Sequence, residues 1–299
     1  MTLLQLNYFL AVCRAQNFTH AAASLHVTQP TVTTAVRELE TEFGVRLIDR
    51  SNKSFTVTPE GEELQDMALH LLSYAEQIRL VMQDRAAAAN RLSFGCPRMT
   101  AAAEFPNLFR TLHRAYPEIE VETSHGFTRE LLPRLDNGQL QMLLIPSPPD
   151  ASRYRFLVWR RSRYLFCVPE THPLAGRSSV SFADICHEPL ISFVGDAYLD
   201  NFQLTQRYLE QGVKPEIVYR CNQISVMREL IRQGEGCGFL LEGVPEGGSG
   251  VVGLPLTEEL PVTFYLVWSR ESERFSAVQR ALKVLRRHRD NSGPASAAG

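Results

Sequence analysis

The chain has 299 residues, 44% hydrophobic and 21% charged, with a net charge of −2. That length exceeds one ordinary domain and suits two or three, and the composition excludes a disordered, fibrous or membrane-spanning chain. With so little net charge no global basic field draws the chain to nucleic acid, so any DNA affinity must come from a local surface.

The cations are nearly all arginine, which suits bidentate contacts to phosphate or guanine. No apolar run approaches a membrane span, and Met1 to Leu10 lacks a signal peptide's charged start, so a cytoplasmic protein without a membrane partner is expected. Six cysteines, at 13, 96, 167, 186, 221 and 237, match neither a zinc motif nor a disulfide framework. They read as reduced core or near-core thiols; a redox sensor is the sharper alternative, with Cys221 and Cys237 as its pair.

Leu3, Leu6, Phe9, Leu10 and Cys13 make a first amphipathic helix. The stretch from Phe18 to Phe43 then predicts two helices joined by a turn at Val27-Thr28. Thr19 is placed to cap the first, with Ala22, Ala23 and Leu25 inward. Pro30 fits the first turn of the second, where a missing N–H costs nothing. In that second helix Val32, Val36, Leu39 and Phe43 form one buried stripe. The opposite face carries Gln29, Thr31, Thr33, Thr34 and Arg37. Amides and hydroxyls read base edges, and an arginine reaches guanine or phosphate, so this face suits a DNA major groove. A plain αα-hairpin inside a helical core has the same spacing.

Gly44 stops the helix. Two β-prone runs, Val45–Arg50 and Phe55–Thr58, flank an Asn-containing turn and predict a hairpin, or wing, whose Arg50 and Lys53 would lie along the phosphate backbone. Thr58-Pro59-Glu60 is a cap, a first-turn proline and an acid on the dipole, and so begins a helix. It is expected to reach about Ala89. Leu64, Ala68, Leu71, Ala75, Ile78 and Met82 form a narrow seam suited to a partner helix; packing on its own domain is the alternative.

From Arg91 the texture changes. Strands are predicted at Leu92–Gly95, Ile119–Thr123, Met142–Ile145, Phe156–Trp159, Tyr164–Val168, Leu190–Phe193, Ile217–Tyr219, Gly238–Leu241 and Val262–Trp268. Helices are predicted near 101–115, 128–137, 198–211, 224–233 and 272–287. This alternation argues for an open α/β sheet in two lobes, a type that binds small ligands at the carboxyl ends of strands. The loops carrying Met99, Thr100, Gly126, Phe127 and Thr128 precede helices, where free N–H groups favour an anionic or polar head; Thr128 would also serve as a plain cap.

Enzyme readings fare poorly. Gly234-x-Gly236-x-Gly238 follows a predicted helix and precedes a strand, the reverse of a dinucleotide fingerprint. His172 abuts Pro173 in a turn. Cys186 and His187 are adjacent, which rarely presents both groups to one substrate. No metal-ligand spacing occurs among the eight histidines.

One run of positions carries a resemblance: Gln5-Leu6, Phe9, Asn17-Phe18-Thr19, Ala21-Ala22, Leu25, Thr28-Gln29-Pro30, Val32, Val36, Leu39-Glu40, Phe43-Gly44, Leu47, Arg50 and Thr58-Pro59-Glu60-Gly61. Residues 1–61 resemble the DNA-binding domain of LysR-type transcriptional regulators. Tyr116-Pro117, Gly138-Gln139-Leu140, His172-Pro173-Leu174-Ala175 and Gly234–Gly238 extend the similarity to about residue 287.

The resemblance implies a multidomain fold. An N-terminal all-α winged helix-turn-helix (1–58) and a linker or dimerisation helix (59–89) would precede a C-terminal α/β two-lobed effector domain (90–290). That domain would resemble type 2 periplasmic binding proteins, with lobes at 91–161 plus 264–290 and at 162–263, and a disordered tail at 291–299. Thr28, Gln29, Pro30, Thr31, Thr33, Thr34, Arg37, Arg50 and Lys53 match the DNA-contacting positions. Met99, Thr100, Phe127, Thr128, Ser147, Phe193, Tyr198, Phe202, Asn222 and Ile224 fall at or near the effector loops. The implied partners are double-stranded DNA bearing an imperfect inverted repeat, a small-molecule effector, further copies of the chain as homodimer or homotetramer, and RNA polymerase. No cofactor, metal or catalysis is implied.

Two departures stand out: Gln141 replaces a usual aspartate, and Leu241-Glu242 a usual Leu-Pro, both expected near the cleft. A small-molecule binding protein whose N-terminal unit serves assembly alone is the alternative reading.

Overall fold

The computed structural model describes residues 1–49, 55–87, 90–194, 204–245, 248 and 250–291. The chain divides into two compact units, residues 1–82 and 83–299. No helix among the described residues is long and apolar enough to cross a membrane.

The first unit opens with α1 (Leu3–Ala15), started by a reciprocal pair: the Thr2 hydroxyl accepts from the Gln5 amide, and the Gln5 side chain accepts from the Thr2 amide. α2 (Phe18–Ser24) is capped by Asn17, whose side-chain oxygen accepts from the amides of Thr19 and His20 at 2.8 and 3.0 Å. Thr19 is therefore not the cap. The helix begins two residues earlier than expected, and it is Ala21 and Ala22 that face inward while Ala23 is exposed. After a turn through His26, at φ 56°, comes α3 (Gln29–Phe43). It buries Val32, Ala35, Val36 and Leu39 against Leu6, Phe9 and Val12 of α1. Phe43, expected inward, is 40% exposed. The helix ends at Gly44, whose φ of 69° is left-handed and suits glycine.

Two short strands follow, β1 (Ile48–Asp49) and β2 (Thr56–Val57), paired antiparallel. The expected turn of this wing, with Arg50 and Lys53, lies outside the described residues. Glu40 of α3 accepts from the amides of Leu47 and Ile48 at 3.0 and 3.3 Å, tying the wing's base to the last turn of α3. α4 (Pro59–Ala87) starts where expected. The Thr58 hydroxyl donates to the Arg46 carbonyl at 2.6 Å and accepts from the Gly61 amide at 3.0 Å. Gly61 is pressed against the wing, so that a Cβ there would meet the Leu47 carbonyl and come within 2.7 Å of Val57 Cγ1. One threonine and one glycine thus lock hairpin to helix. Leu64, Ala68 and Leu72 pack on the first unit's core, whereas Leu71, Ile78 and Met82 of the seam are exposed.

The second unit contains strands β3 (Arg91–Cys96), β4 (Glu120–His125), β5 (Met142–Ile145), β6 (Arg155–Pro169), β7 (Leu190–Phe193), β8 (Ile217–Cys221), β9 (Gly238–Leu241), β10 (Val251–Leu254) and β11 (Pro261–Trp268). Its helices are α5 (Arg98–Ala115), α6 (Thr128–Asp136), α7 (Phe182–Ile185), α8 (Leu204–Glu210), α9 (Ile224–Arg232) and α10 (Ser276–Asn291). The expected helix near 198–211 is described only from Leu204. Sequence reasoning gave no sign of β10 or α7.

Lobe I runs β4-β3-β5-β11-β6, parallel at β4-β3-β5 and antiparallel beyond. In lobe II β6 is flanked by β9 and β10, both antiparallel. β7 pairs with β8, and a bridge from Leu190 to Cys237 sets it beside β9. The two strands expected at Phe156–Trp159 and Tyr164–Val168 are one strand. Arg155–Arg163 pairs with β11, and Tyr164–Pro169 with β9 and β10. The polar run Arg160–Arg163 hides this continuity in the sequence. The ladder skips Trp159, since Phe264 faces Arg160 while Tyr265 faces Val158. That extra residue is a bulge, which bends β6 within its lobe I stretch, shortly before it enters lobe II.

Gly61→Ala is expected to destabilise the first unit by about 1–3 kcal/mol through overpacking. Chemical denaturation checks this, and an unchanged midpoint would show that helix and wing yield at no cost.

Candidate functional site

The exposed face of α3 carries Gln29, Thr31, Thr34 and Arg37, with Thr33 half-buried beside them. Gln29 Nε2 donates to the Thr33 hydroxyl at 2.9 Å, and the hydroxyls of Thr28 and Thr31 lie 2.8 Å apart. These contacts preset the rotamers and leave further donor and acceptor capacity outward. The first turn holds no acid, and the Arg37 guanidinium has no ion-pair partner among the described residues. Such a surface offers a neutral hydrogen-bonding patch with one free cation, suited to base edges and a phosphate.

A second site lies between the lobes, where a cavity of about 240 Å³ opens. Pro97, Arg98, Met99 and Thr100 line it from the start of α5, Gly126 and Phe127 from the start of α6, and Pro146 from the loop after β5. Lobe II contributes Tyr164, β7 with Val194, Leu204, Thr205, Pro215, Ile217, Arg220 and Phe239. The lining is mostly apolar and aromatic with few polar groups, the general make-up of a small-molecule site. Beneath it, α5 meets β9 and α9 of lobe II.

Residues 85–290 match the LysR substrate binding domain, and residues 3–62 match the bacterial regulatory helix-turn-helix protein domain of the lysR family. The chain belongs to the LysR family. It is 26% identical over 295 residues to the DNA-binding transcriptional dual regulator OxyR of Escherichia coli, covering 97% of this chain and 96% of that one. It is also 26% identical to the HTH-type transcriptional regulator CysL of Bacillus subtilis, over 80% of each. Among solved structures, the LysR family transcriptional regulator CbnR superposes with a TM-score of 0.68 at 20% identity, over 96% of this chain and 99% of that one. CbnR bound to its target DNA gives the same TM-score. As a LysR-family member the chain is a DNA-binding transcriptional regulator with an effector-binding domain of two α/β lobes, and not an enzyme.

Within this LysR-type framework the expected residues divide. Met99, Thr100, Phe127 and Phe193 line the interlobe cavity; Thr128, Ser147, Asn222 and Ile224 do not. Thr128 is the first residue of α6 and Phe127 its N-cap position, so Thr128 is not the cap. Tyr198 and Phe202 lie outside the described residues. Gln141 is a sheet contact, its side chain accepting from the Ser93 amide at 2.9 Å. Glu242 pairs with Arg163 at 3.2 Å, and neither lines the cavity.

Sequence reasoning missed Arg98, Tyr164, Arg220 and Phe239. A signal existed for Arg98: a cation in a helix's first turn opposes the dipole, and a bound anion there would relieve it.

All six thiols are free and buried. Burial raises Cys13 to about 11 and Cys167 and Cys237 to about 12, and raises Cys221 as well. Cys221 pairs with Phe193 on one edge of β7 and Cys237 with Leu190 on the other. The two are thus separated by ~10 Å along the strand and ~10 Å across it, too far for a disulfide. His172, Glu188 and Cys237 converge within 4.8 Å. His172 Nδ1 accepts from the Leu174 amide at 3.2 Å, so the neutral ring carries its proton on Nε2, which faces Glu188 at 3.4 Å. That proton occupies the position a metal would need.

Glu104, one turn beyond Thr100 on α5, is wholly buried. Neither carboxylate oxygen has a hydrogen bond of good geometry. Burial raises its pKa; Arg160, 3.7 Å away, and the Trp159 indole favour the charged form without offsetting that. The folded state therefore holds this proton to higher pH than the unfolded chain, and its stability falls as pH rises through that window. Glu104→Gln, which never ionises, is expected to match the parent near pH 4 and to gain melting temperature over it by pH 8. A difference that stays flat across a thermal-unfolding series would place the charge in solvent.

Proposed function

We propose that this regulator reads an imperfect inverted repeat with α3, using Thr28, Gln29, Pro30, Thr31, Thr33, Thr34 and Arg37, while Arg50 and Lys53 follow the backbone. The observation that supports this most directly is the acid-free, hydroxyl- and amide-lined face of α3 with Arg37 unpaired. Residues 1–58 serve DNA, 59–89 pair with a second chain, and 90–290 sense the effector. The exposed seam residues Leu71, Ile78 and Met82 support pairing of α4 as an antiparallel homodimer, on which a tetramer can be built.

Met99, Thr100, Phe127 and Phe193 contact an effector in the interlobe cavity. An effector that binds one lobe arrangement better shifts the equilibrium between arrangements, and with it the spacing of the two reading helices. The bend imposed on DNA then changes, as does contact with RNA polymerase in the cytoplasm.

Arg37→Ala is expected to weaken binding to the DNA upstream of the chain's own coding region by ~10–100-fold while the dimer persists. Fluorescence anisotropy at several salt concentrations reads this. Equal affinity would take Arg37 off the reading surface. Ile78→Glu should lower the molecular mass in sedimentation by unpairing the seam, and an unchanged mass would place the interface elsewhere.

A further inference from the structure

The interlobe cavity has an electrostatic asymmetry that the family's fold does not require. Two arginines line it, Arg98 in the first turn of α5 from lobe I and Arg220 on β8 from lobe II. Neither guanidinium has an ion pair or hydrogen bond among the described residues, and no described Asp or Glu lines the cavity. Elsewhere in this unit arginines do find acids: Arg153 meets Asp136, Arg163 meets Glu242, and Arg280 meets Glu118. Among the described residues around the cavity, the two exposed guanidinium groups have no acid beside them.

Three features of α5 point the same way. Its first turn has no acid, and its N-cap position is Pro97, which supplies no side-chain cap. Its first amides are thus left to another acceptor. Arg98 there adds a cation to the positive end of an 18-residue helix, an arrangement that is unfavourable until an anion arrives. Thr100, 1% exposed, lines the cavity, and its hydroxyl has no hydrogen-bond partner among the described residues. That hydroxyl is free to donate to, or accept from, a ligand oxygen in the cavity. Phe127, Phe193 and Phe239 line the same cavity.

We infer that the effector is a small carboxylic acid with an apolar body, its carboxylate chemistry gripped by Arg98 and Thr100 from one lobe and by Arg220 from the other. This rests on the cavity being the effector site. The cavity of about 240 Å³ is below the ~300–1,000 Å³ typical of drug-sized ligands, which limits the acid to a small metabolite. The same contacts couple binding to lobe arrangement. With the cavity empty, two cations on facing lobes repel; with the anion present, each lobe gains by approaching it. Arginine suits this because its planar fork holds a carboxylate through two parallel hydrogen bonds.

The test uses the full-length protein and a panel of matched probes, read by thermal shift and then calorimetry. Succinate, adipate, benzoate and phenylacetate represent carboxylates with apolar bodies. Succinamide and benzamide are their neutral counterparts, and inorganic phosphate and glycerol phosphate form the phosphate arm. At least one carboxylate should raise the melting temperature while its amide does not, and binding should weaken with added salt. Arg98→Gln and Arg220→Gln should each lower that affinity by roughly tenfold or more. Lysine at either position should recover part of the loss, and each variant's own melting curve shows that it folds.

No binding by any carboxylate, equal binding of acid and amide, preference for the phosphate arm, or unchanged affinity in both glutamine variants would each overturn the inference. Phe193→Ala separates this from failure of the cavity reading. A neutral or phosphate ligand weakened by Phe193→Ala leaves the site in place and removes only the carboxylate. A ligand indifferent to Phe193→Ala and to both arginine changes binds somewhere else, and the site itself falls.

Discussion

β6 belongs to the sheets of both lobes. β6 satisfies the backbone of its first nine residues against β11 and of its last six against β9 and β10, so neither lobe can complete its sheet without it. A backbone group removed from its ladder and left buried costs about as much as a lost hydrogen bond, so the lobes cannot slide along this strand. The bulge at Trp159 kinks the strand, and Glu104 of α5 lies close to that point beside Arg160. α5 runs from there to the cavity, where its first turn presents Arg98, Met99 and Thr100. A ligand at the start of α5 and a buried charge in its second turn therefore act on one rigid rod.

The first unit applies the same economy. α3 is held by burial on one side only, through Val32, Ala35, Val36 and Leu39, and each such side chain contributes roughly 1–3 kcal/mol. The outward residues carry no packing duty and are free to be chosen for recognition. Glu40 and Thr58 then bind the wing's base to α3 and α4 through backbone groups, so the wing's placement depends little on the side chains it displays.

Much of this was legible in the sequence because it follows from local chemistry. The periodicity of α3, the glycine stop at Gly44 and the Thr58-Pro59 start each have a cause within a few residues. Gly234-x-Gly236-x-Gly238 was likewise readable as a turn between helix and strand. Here a Cβ on Gly238 would lie 3.0 Å from the Ile191 carbonyl oxygen, a close approach of backbones and not a phosphate cradle. Illegible features depended on distant partners. Asn17 and Thr19 are equally good caps on paper, and the core decides between them by choosing Ala21 over Ala23. β6 looked broken because Arg160–Arg163 is polar, yet its partner is β11, about a hundred residues away. Gln141 was expected at the cleft and instead pairs with Ser93 across the sheet. Arg98 and Arg220 are far apart in the chain, and only the fold brings them to one cavity, with no acid among its described lining residues.

The sealed sulfur chemistry has a practical corollary. Every native thiol is buried, and burial pushes Cys13, Cys167, Cys221 and Cys237 up, while alkylating reagents attack accessible thiolates. A single cysteine introduced on the outer face of α3 would accept a spin label or fluorophore ahead of all six natural ones, with no need to strip them out first. In a paired assembly of the kind proposed above, such labels would turn the separation of the two α3 helices into a directly measurable ruler, with and without candidate acids in solution.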